Sequence, residues 1–399
     1  MPVRSYSAIN RAARKLSVES SAVNHPAPYP LPPSSPFDAF GDQDEIFAAA
    51  FSILQRAIAE RAFPATTIAV THRGQIVALK ALGRFTYEPK APSATPSTLF
   101  DLASLTKGVA TTSMAMLLYE RGLLDLDAPV AAIVPEFISD AEKDPRRHDV
   151  NLRLLLAHSS GLPAYEKLFL KIKTREELLR IAFSMPLAAD PGTRVDYSDI
   201  GFIILGIVLE RLSGESLDRF CQREIFGTLG MSQTTFNPPI EIRQQIPPTA
   251  DDHTFRGRII QGEVQDENAS VLGGVAPHAG LFSSARDLAQ FANAMLNPGR
   301  PIFRPETIAL FTRRESAPEG TTRALGWDTP SATSQSGKYF SANSFGHLGY
   351  TGTSLWIDPA RQWSITLLTN RTWPDCSNLA IKQIRPLFHD AVIEGLNAG

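Results

Sequence analysis

The sequence predicts an α/β (α+β) fold of two lobes, in which an antiparallel sheet flanked by helices carries an inserted, mainly helical lobe. Three observations lead there: strand-like runs at both ends of the folded part, apolar residues at helical spacing between them, and no internal repeat of the solenoid or propeller kind. The first 41 residues stand apart. Within them, HPAPYPLPPSSPFD at 25–38 holds six prolines, which remove backbone donors and disfavour helix, so an extended linker behind an N-terminal arm is expected. The folded part is expected to run over 42–399, with an α/β lobe over about 42–125 and 285–399 and a helical lobe over about 126–284.

Along that stretch, Ile46, Ala50, Ile53, Leu54 and Ala57 recur at helical spacing and mark a first helix that ends before Pro64. TTIAVTH and QIVALKALG follow as two β-rich runs joined at Arg73-Gly74, the signature of a hairpin. A long helical region comes next, broken at Pro163, Pro186, Pro191-Gly192 and Pro247-Pro248. GTSLWIDP and QWSITLLTN then form a second strand pair around Asp358-Pro359, and 377–395 reads as a closing amphipathic helix. Strands from both ends of the chain thus enter one sheet.

Composition narrows the function. With 43% hydrophobic and 20% charged residues the chain resembles an ordinary globular protein rather than a disordered or membrane one. A net charge of -2 with Lys and Arg scattered leaves no electrostatic footprint for nucleic acid or anionic lipid, so the expected partner is a small molecule. Cys221 and Cys376 match no metal or redox spacing and are expected as buried free thiols. No H-E-x-x-H, P-loop, G-x-G-x-x-G or G-x-S-x-G is present, and no metal or cofactor is implied. The N-terminus lacks the apolar run of a signal peptide, which points to a cytoplasmic protein, with an organelle transit peptide as the alternative because the start is rich in Arg and Ser.

Three segments carry chemistry. Ser104-Leu105-Thr106-Lys107 precedes an apolar helical face, so the serine sits at a helix start with the lysine one turn on, within reach of the hydroxyl. Free N–H groups and the dipole at such a start favour developing negative charge, and a desolvated lysine can be neutral enough to take the serine proton. Tyr197-Ser198-Asp199 lies in a polar loop before another apolar helix. His347-Leu348-Gly349-Tyr350 sits beside a strand, where glycine permits close approach of a ligand to backbone N–H groups. Each segment alone also reads as a plain helix cap or turn.

Their order, S-x-x-K, then Y-x-D, then H-L-G, resembles the motif set of the serine β-lactamase and penicillin-binding protein superfamily. FDLASLTKGVAT, LLLAHSSGLP, YSDIGFIILG, GGVAPHAGLFSSARDLAQFANAML and FGHLGYTGTSLWIDP support the likeness over roughly 45–395, and within the superfamily the chain looks most like class C β-lactamases and family VIII carboxylesterases. The resemblance implies a β-lactamase-like fold and an acyl-enzyme on Ser104. Lys107 and Tyr197 would share the proton work, with the choice of base open. Backbone N–H groups of Ser104 and Tyr350 would hold the oxyanion, and His347, Gly349 and Asp199 would line the substrate site.

Two departures bear on substrate. Asp199 stands where the family has an asparagine, and an ionised carboxylate cannot donate to a substrate amide. His347 and Leu348 stand where K-T-G has a lysine and a hydroxyl residue, which weakens the hold on an anionic lactam or peptide. A serine carboxylesterase acting on small uncharged acyl esters is therefore the expected activity. β-Lactamase, D-Ala-D-Ala peptidase, amide hydrolysis and acyl transfer are the alternatives with the same catalytic set, and a non-catalytic scaffold is the alternative of another class. His158 and His278 are expected to be structural.

Overall fold

The computed structural model describes residues 42–139, 144–297 and 302–398, so the expected arm and proline-rich linker lie outside the described residues. In chain order its strands are β1 (Ala65–His72), β2 (Gln75–Gly83), β3 (Phe100–Asp101), β4 (Thr235–Phe236), β5 (Pro248–Asp252), β6 (Arg258–Gln261), β7 (Leu281–Ser283), β8 (Phe345–Leu348), β9 (Ser354–Asp358) and β10 (Trp363–Thr369). The helices that bear on function are α1 (Ala48–Ala59), α2 (Ser113–Glu120), α3 (Asp199–Ser213), α4 (Glu267–Val271), α5 (Ala285–Leu296) and α6 (Ile381–Ala398).

The β1–β2 hairpin forms as expected, turned by Arg73 at φ 50° and Gly74 at φ 80°, a left-handed pair that suits the twist of the flanking strands. Strands β9 and β10 pair across Asp358 and Trp363. The two ends of the chain meet where β1 runs antiparallel to β10, Ile68 opposite Leu367, giving a five-stranded sheet in the order β2-β1-β10-β9-β8. Two smaller sheets accompany it, β3-β7-β4 and the β5-β6 pair.

Both faces of the large sheet are covered, which is why β1 is buried along nearly its whole length. Period-two alternation sends Ile68, Val70, Ile365 and Leu367 to one side, against Phe51 and Leu54 of α1 and Phe388 and Val392 of α6. Ala65, Ala69, Leu355 and Leu368 go to the other, against Leu288, Phe291 and Met295 of α5. This second core continues without a break into α2 and α3, through Met114, Leu118, Phe202 and Leu205. The first helix is shorter than its spacing suggests: Ile46 belongs to a separate turn, Gln43–Ile46, and is 41% exposed. Of the two cysteines, Cys221 is buried but Cys376 is exposed, because 374–377 runs over the surface.

His389 of α6 is fully buried, its Nδ1 donating to the Ser336 carbonyl (3.0 Å) and its Nε2 accepting from the Ser354 hydroxyl (3.3 Å). Burial pushes this imidazole down from 6.5 to about 3. The unfolded chain therefore takes a proton near pH 6.5 that the folded one refuses, so the stability this histidine contributes is complete above pH 6.5 and drains away as pH falls towards 3. The urea midpoint is expected to drop between pH 7 and pH 5, and His389→Gln should flatten that drop. An equally steep decline in the variant would assign it to other groups.

Candidate active site

The segment after β3 is pinned before it turns. The Asp101 carboxylate, fully buried and pushed up to about 6 by that burial, accepts the N–H groups of Ala103 (2.8 Å) and Gln265 (2.6 Å). Thr351 and Thr353 donate to the carbonyls of Asp101 (2.7 Å) and Leu102 (2.9 Å), tying this segment to the loop after β8. Ala103 is held at φ 47°, a left-handed conformation unusual for a residue with a Cβ, and Ser104 follows it immediately before the helix. Helical backbone runs from Leu105 through a π-helical stretch, Lys107–Thr112, into α2. That the first turns are π-helical was not legible in the apolar spacing.

Lys107 is fully buried, and three oxygens surround its ammonium: Ser104 Oγ at 3.0 Å, the His278 carbonyl at 3.1 Å and Asp199 Oδ1 at 2.7 Å. Burial works to lower its pKa, but Asp199 and then Tyr197 outweigh it and hold Lys107 above lysine's ordinary value. The sequence left the base open between Lys107 and Tyr197; in the structure the carboxylate at the asparagine position favours the charged form of Lys107.

Tyr197 and Asp199 reach the lysine from the start of α3. Ser198 caps that helix, its hydroxyl accepting the Gly201 N–H (2.9 Å) and donating to the Pro163 carbonyl (2.7 Å), while the Asp199 N–H donates to the Ala164 carbonyl (2.8 Å). His158 completes the mounting. Its ring lies 4.4 Å from the Tyr197 ring and stacks at 4.9 Å on Phe202, and its Nδ1 accepts the Ser198 N–H at 2.9 Å. Burial, with Arg323 and Lys107 nearby, pushes His158 well below 6.5, so it is neutral. The Tyr197 ring stands 4.8 Å from Lys107 Nζ, and its buried hydroxyl has no hydrogen-bond partner among the described residues.

The third segment closes the site. His347 on β8 is buried, with its ring 5.9 Å from that of Tyr197. Its Nδ1 contacts the Leu348 carbonyl at 2.8 Å; since a carbonyl only accepts, Nδ1 carries the proton and Nε2 is a bare acceptor. Burial and the charges of Lys107 and Arg323 push His347 down to about 3, so it is neutral and supplies no cation. Gly349 has no room for a side chain: a Cβ would lie 1.9 Å from Thr353 Oγ1 and 2.4 Å from the Leu102 carbonyl oxygen. Tyr350 is half exposed, its carbonyl held by Arg371 Nε at 2.7 Å, and neither its N–H nor that of Ser104 donates to a described residue.

Comparison with known proteins bears on this constellation. The family model described as Beta-lactamase matches residues 50–385. The chain belongs to the β-lactamase family. A protein of Escherichia coli (strain K12) named "Putative D-alanyl-D-alanine carboxypeptidase" is 33% identical over 344 residues, covering 77% of this chain and 79% of that one. An N-acetylmuramyl-L-alanine amidase of Bacillus subtilis (strain 168) is 34% identical over 346 residues, covering 77% of each. Among solved structures, EstCE1, a hydrolase with promiscuous acyltransferase activity, superposes with a TM-score of 0.70 at 23% identity, covering 88% of this chain and 99% of that chain. The fold is the antiparallel, helix-flanked β-lactamase one, and the chain is a member of a serine hydrolase family. Among the described residues no helix is long and apolar enough to cross a membrane.

Within this β-lactamase-family site, Ser104, Lys107, Tyr197, Asp199 and His347 come together from three distant segments. Three further residues join them that sequence reasoning set aside or missed. His158 supports Tyr197, as above. His278 offers its carbonyl to Lys107, while its Nε2 meets Asp266 Oδ1 at 3.0 Å. Arg323 places its guanidinium 5.2 Å from the centre of the Tyr197 ring. Nothing in TTRALGW marks that arginine, whereas a histidine in an apolar run, as in LLLAHSSG, is a usable signal of a buried polar contact.

Asp199→Asn removes the carboxylate that holds Lys107 charged and leaves burial unopposed, so the lysine should titrate at lower pH. NMR of the Lys107 ε-carbon in selectively labelled protein checks this. A titration that stays where it was would show that Asp199 does not govern the ammonium.

Proposed function

We propose that the chain is a serine carboxylesterase that works through an acyl-enzyme on Ser104. The observation that carries this reading is the 2.7 Å approach of Asp199 to the buried Lys107 ammonium, next to the serine hydroxyl. A committed carboxylate at this position cannot donate to a substrate amide, and neutral His347 does not replace the missing cation. Both features favour an ester, whose alkoxide departs more readily than an amide nitrogen.

The proton inventory gives the roles. An ammonium has no lone pair, so Lys107 donates to Ser104 Oγ, and the serine's own proton points elsewhere. Tyr197, beside that ammonium, is the group left to take it, and it does so as the phenolate, becoming the phenol that donates in the next step. Ser104 Oγ attacks the ester carbonyl carbon as Tyr197 receives the proton. The tetrahedral oxyanion forms against the N–H groups of Ser104 and Tyr350. The carbon–oxygen bond to the alcohol then breaks, and Tyr197 returns the proton to the leaving alkoxide. Water repeats the sequence, its proton passing through Tyr197 to Ser104 Oγ as the acid is released.

A second reading, amide hydrolysis, is favoured by the names of two relatives above 30% identity, "Putative D-alanyl-D-alanine carboxypeptidase" and "N-acetylmuramyl-L-alanine amidase". One panel separates the two: short 4-nitrophenyl esters, a chromogenic cephalosporin and a D-amino-acid amide. Ester turnover should dominate, and amide or lactam turnover of equal efficiency would overturn the assignment. Ser104→Ala should lower ester turnover by about 10⁴-fold or more, and Tyr197→Phe by roughly 10²- to 10⁴-fold. Activity that survives Ser104→Ala would remove the mechanism.

A further inference from the structure

Several polar groups around the Tyr197 ring lack a hydrogen-bond partner among the described residues, His158 Nε2 among them. The Tyr197 hydroxyl and His347 Nε2 are buried without a partner, and the guanidinium of Arg323 donates no hydrogen bond to any described residue. Arg323 is held firmly enough by its backbone. Its N–H donates to Thr321 Oγ1 (3.0 Å), its carbonyl accepts the Glu315 N–H (2.8 Å), and it bridges to Asp328, which pairs in turn with Gly346 of β8. The arginine thus sits on a strip that extends the sheet beside the strand bearing His347.

The nearest carboxylate does not satisfy it. Asp328 Oδ2 stands 3.7 Å from Nη1, beyond hydrogen-bond range, and Asp328 Oδ1 already accepts from Thr322 Oγ1 (2.9 Å) and the Thr329 N–H (3.0 Å). Nor does the Tyr197 ring. A cation–π contact uses the charge of the guanidinium, whereas its five N–H groups lie in its own plane and need acceptors there. Arg323 Nε is buried and unpartnered, while 19% of the side chain remains open. A charged fork with unused donors, part-open beside Tyr197, matches the two oxygens of a carboxylate. His347, a bare acceptor, is unsuited to such an anion, which leaves Arg323 to bind it.

We propose that Arg323 is the anion subsite of this enzyme, binding a carboxylate carried by the ester substrate through its guanidinium. The inference rests on the serine hydrolase reading of Ser104 and refines its substrate class: esters bearing a free carboxylate rather than uncharged ones. It assigns to a loop arginine a charge that the third motif lacks.

The test compares 4-nitrophenyl hydrogen adipate with its neutral methyl ester on the full chain. Wild type should show the higher kcat/KM for the acid. Arg323→Gln should lower the acid-to-methyl-ester ratio by about tenfold or more, the scale of a charged hydrogen bond, and Arg323→Lys should keep part of it. Thermal melting establishes that the variants are folded, and Arg323→Lys carries the comparison if the glutamine variant is not. A wild-type preference for the methyl ester overturns the proposal. So does an equal fall for both esters in Arg323→Gln, which would show that the arginine acts on Tyr197 alone. If neither ester is cleaved, the esterase reading fails by itself, and calorimetry of monomethyl adipate on Ser104→Ala decides this one. Binding lost on adding Arg323→Gln supports the subsite, and binding that is absent or unaltered overturns it.

Discussion

The ammonium of Lys107 is the constraint around which the other parts of the site are arranged, because a fully buried cation is tolerated only where fixed oxygens replace its water. Desolvation of such an ion costs several kcal/mol even after relaxation, so each oxygen must be held independently. Ser104 is held by the turn after β3, the His278 carbonyl by the Asp266 contact, and Asp199 by the capped start of α3. Removing one oxygen leaves a charge with too few partners. The three segments therefore come as a set.

The large sheet makes that set possible by bringing the ends of the chain together. Because β1 lies beside β10, the residues just after the first hairpin and those just before the last helix occupy neighbouring space. The hydroxyls of Thr351 and Thr353 then lock the nucleophile turn to the H-L-G loop, which also explains why Gly349 cannot carry a side chain. The strain at Ala103 is sustained by the same bonds. Remove them and the turn has no reason to keep a left-handed residue ahead of its serine.

Much of this was legible because it is periodic or punctuated. The hairpin at Arg73-Gly74, the β9–β10 pair and the closing helix follow from alternation, turn residues and helical spacing, and the structure contains all three. Ser104, Lys107 and Tyr197 were legible as a motif set, and they lie together. What stayed hidden depends on distance through space. The approach of Asp199 to Lys107, the tilted packing of His158 against Tyr197 and the position of Arg323 join residues between about 40 and more than 120 positions apart, with no local pattern to announce them. The exposure of Cys376 was hidden for a related reason, since composition says that cysteine is usually buried but not which loop crosses the surface.

Read as charges, the site has been reallocated rather than weakened. In the K-T-G form of the third motif the second cation rides on the strand that here carries His347, and the asparagine near the lysine is neutral. In this chain the strand position is a neutral imidazole, the asparagine position is an anion bound to Lys107, and a cation stands across the Tyr197 ring on Arg323. Lys107 with Asp199 is close to neutral as a pair, so the field that a substrate meets at Tyr197 is set largely by Arg323. Neutral His347 is then a consequence as much as a cause, because an imidazolium would sit in a buried space already shared by Lys107 and Arg323. Moving the cation from a rigid strand to a neighbouring strip leaves the reacting bond where it was and shifts only the place at which a substrate's own charge must fall.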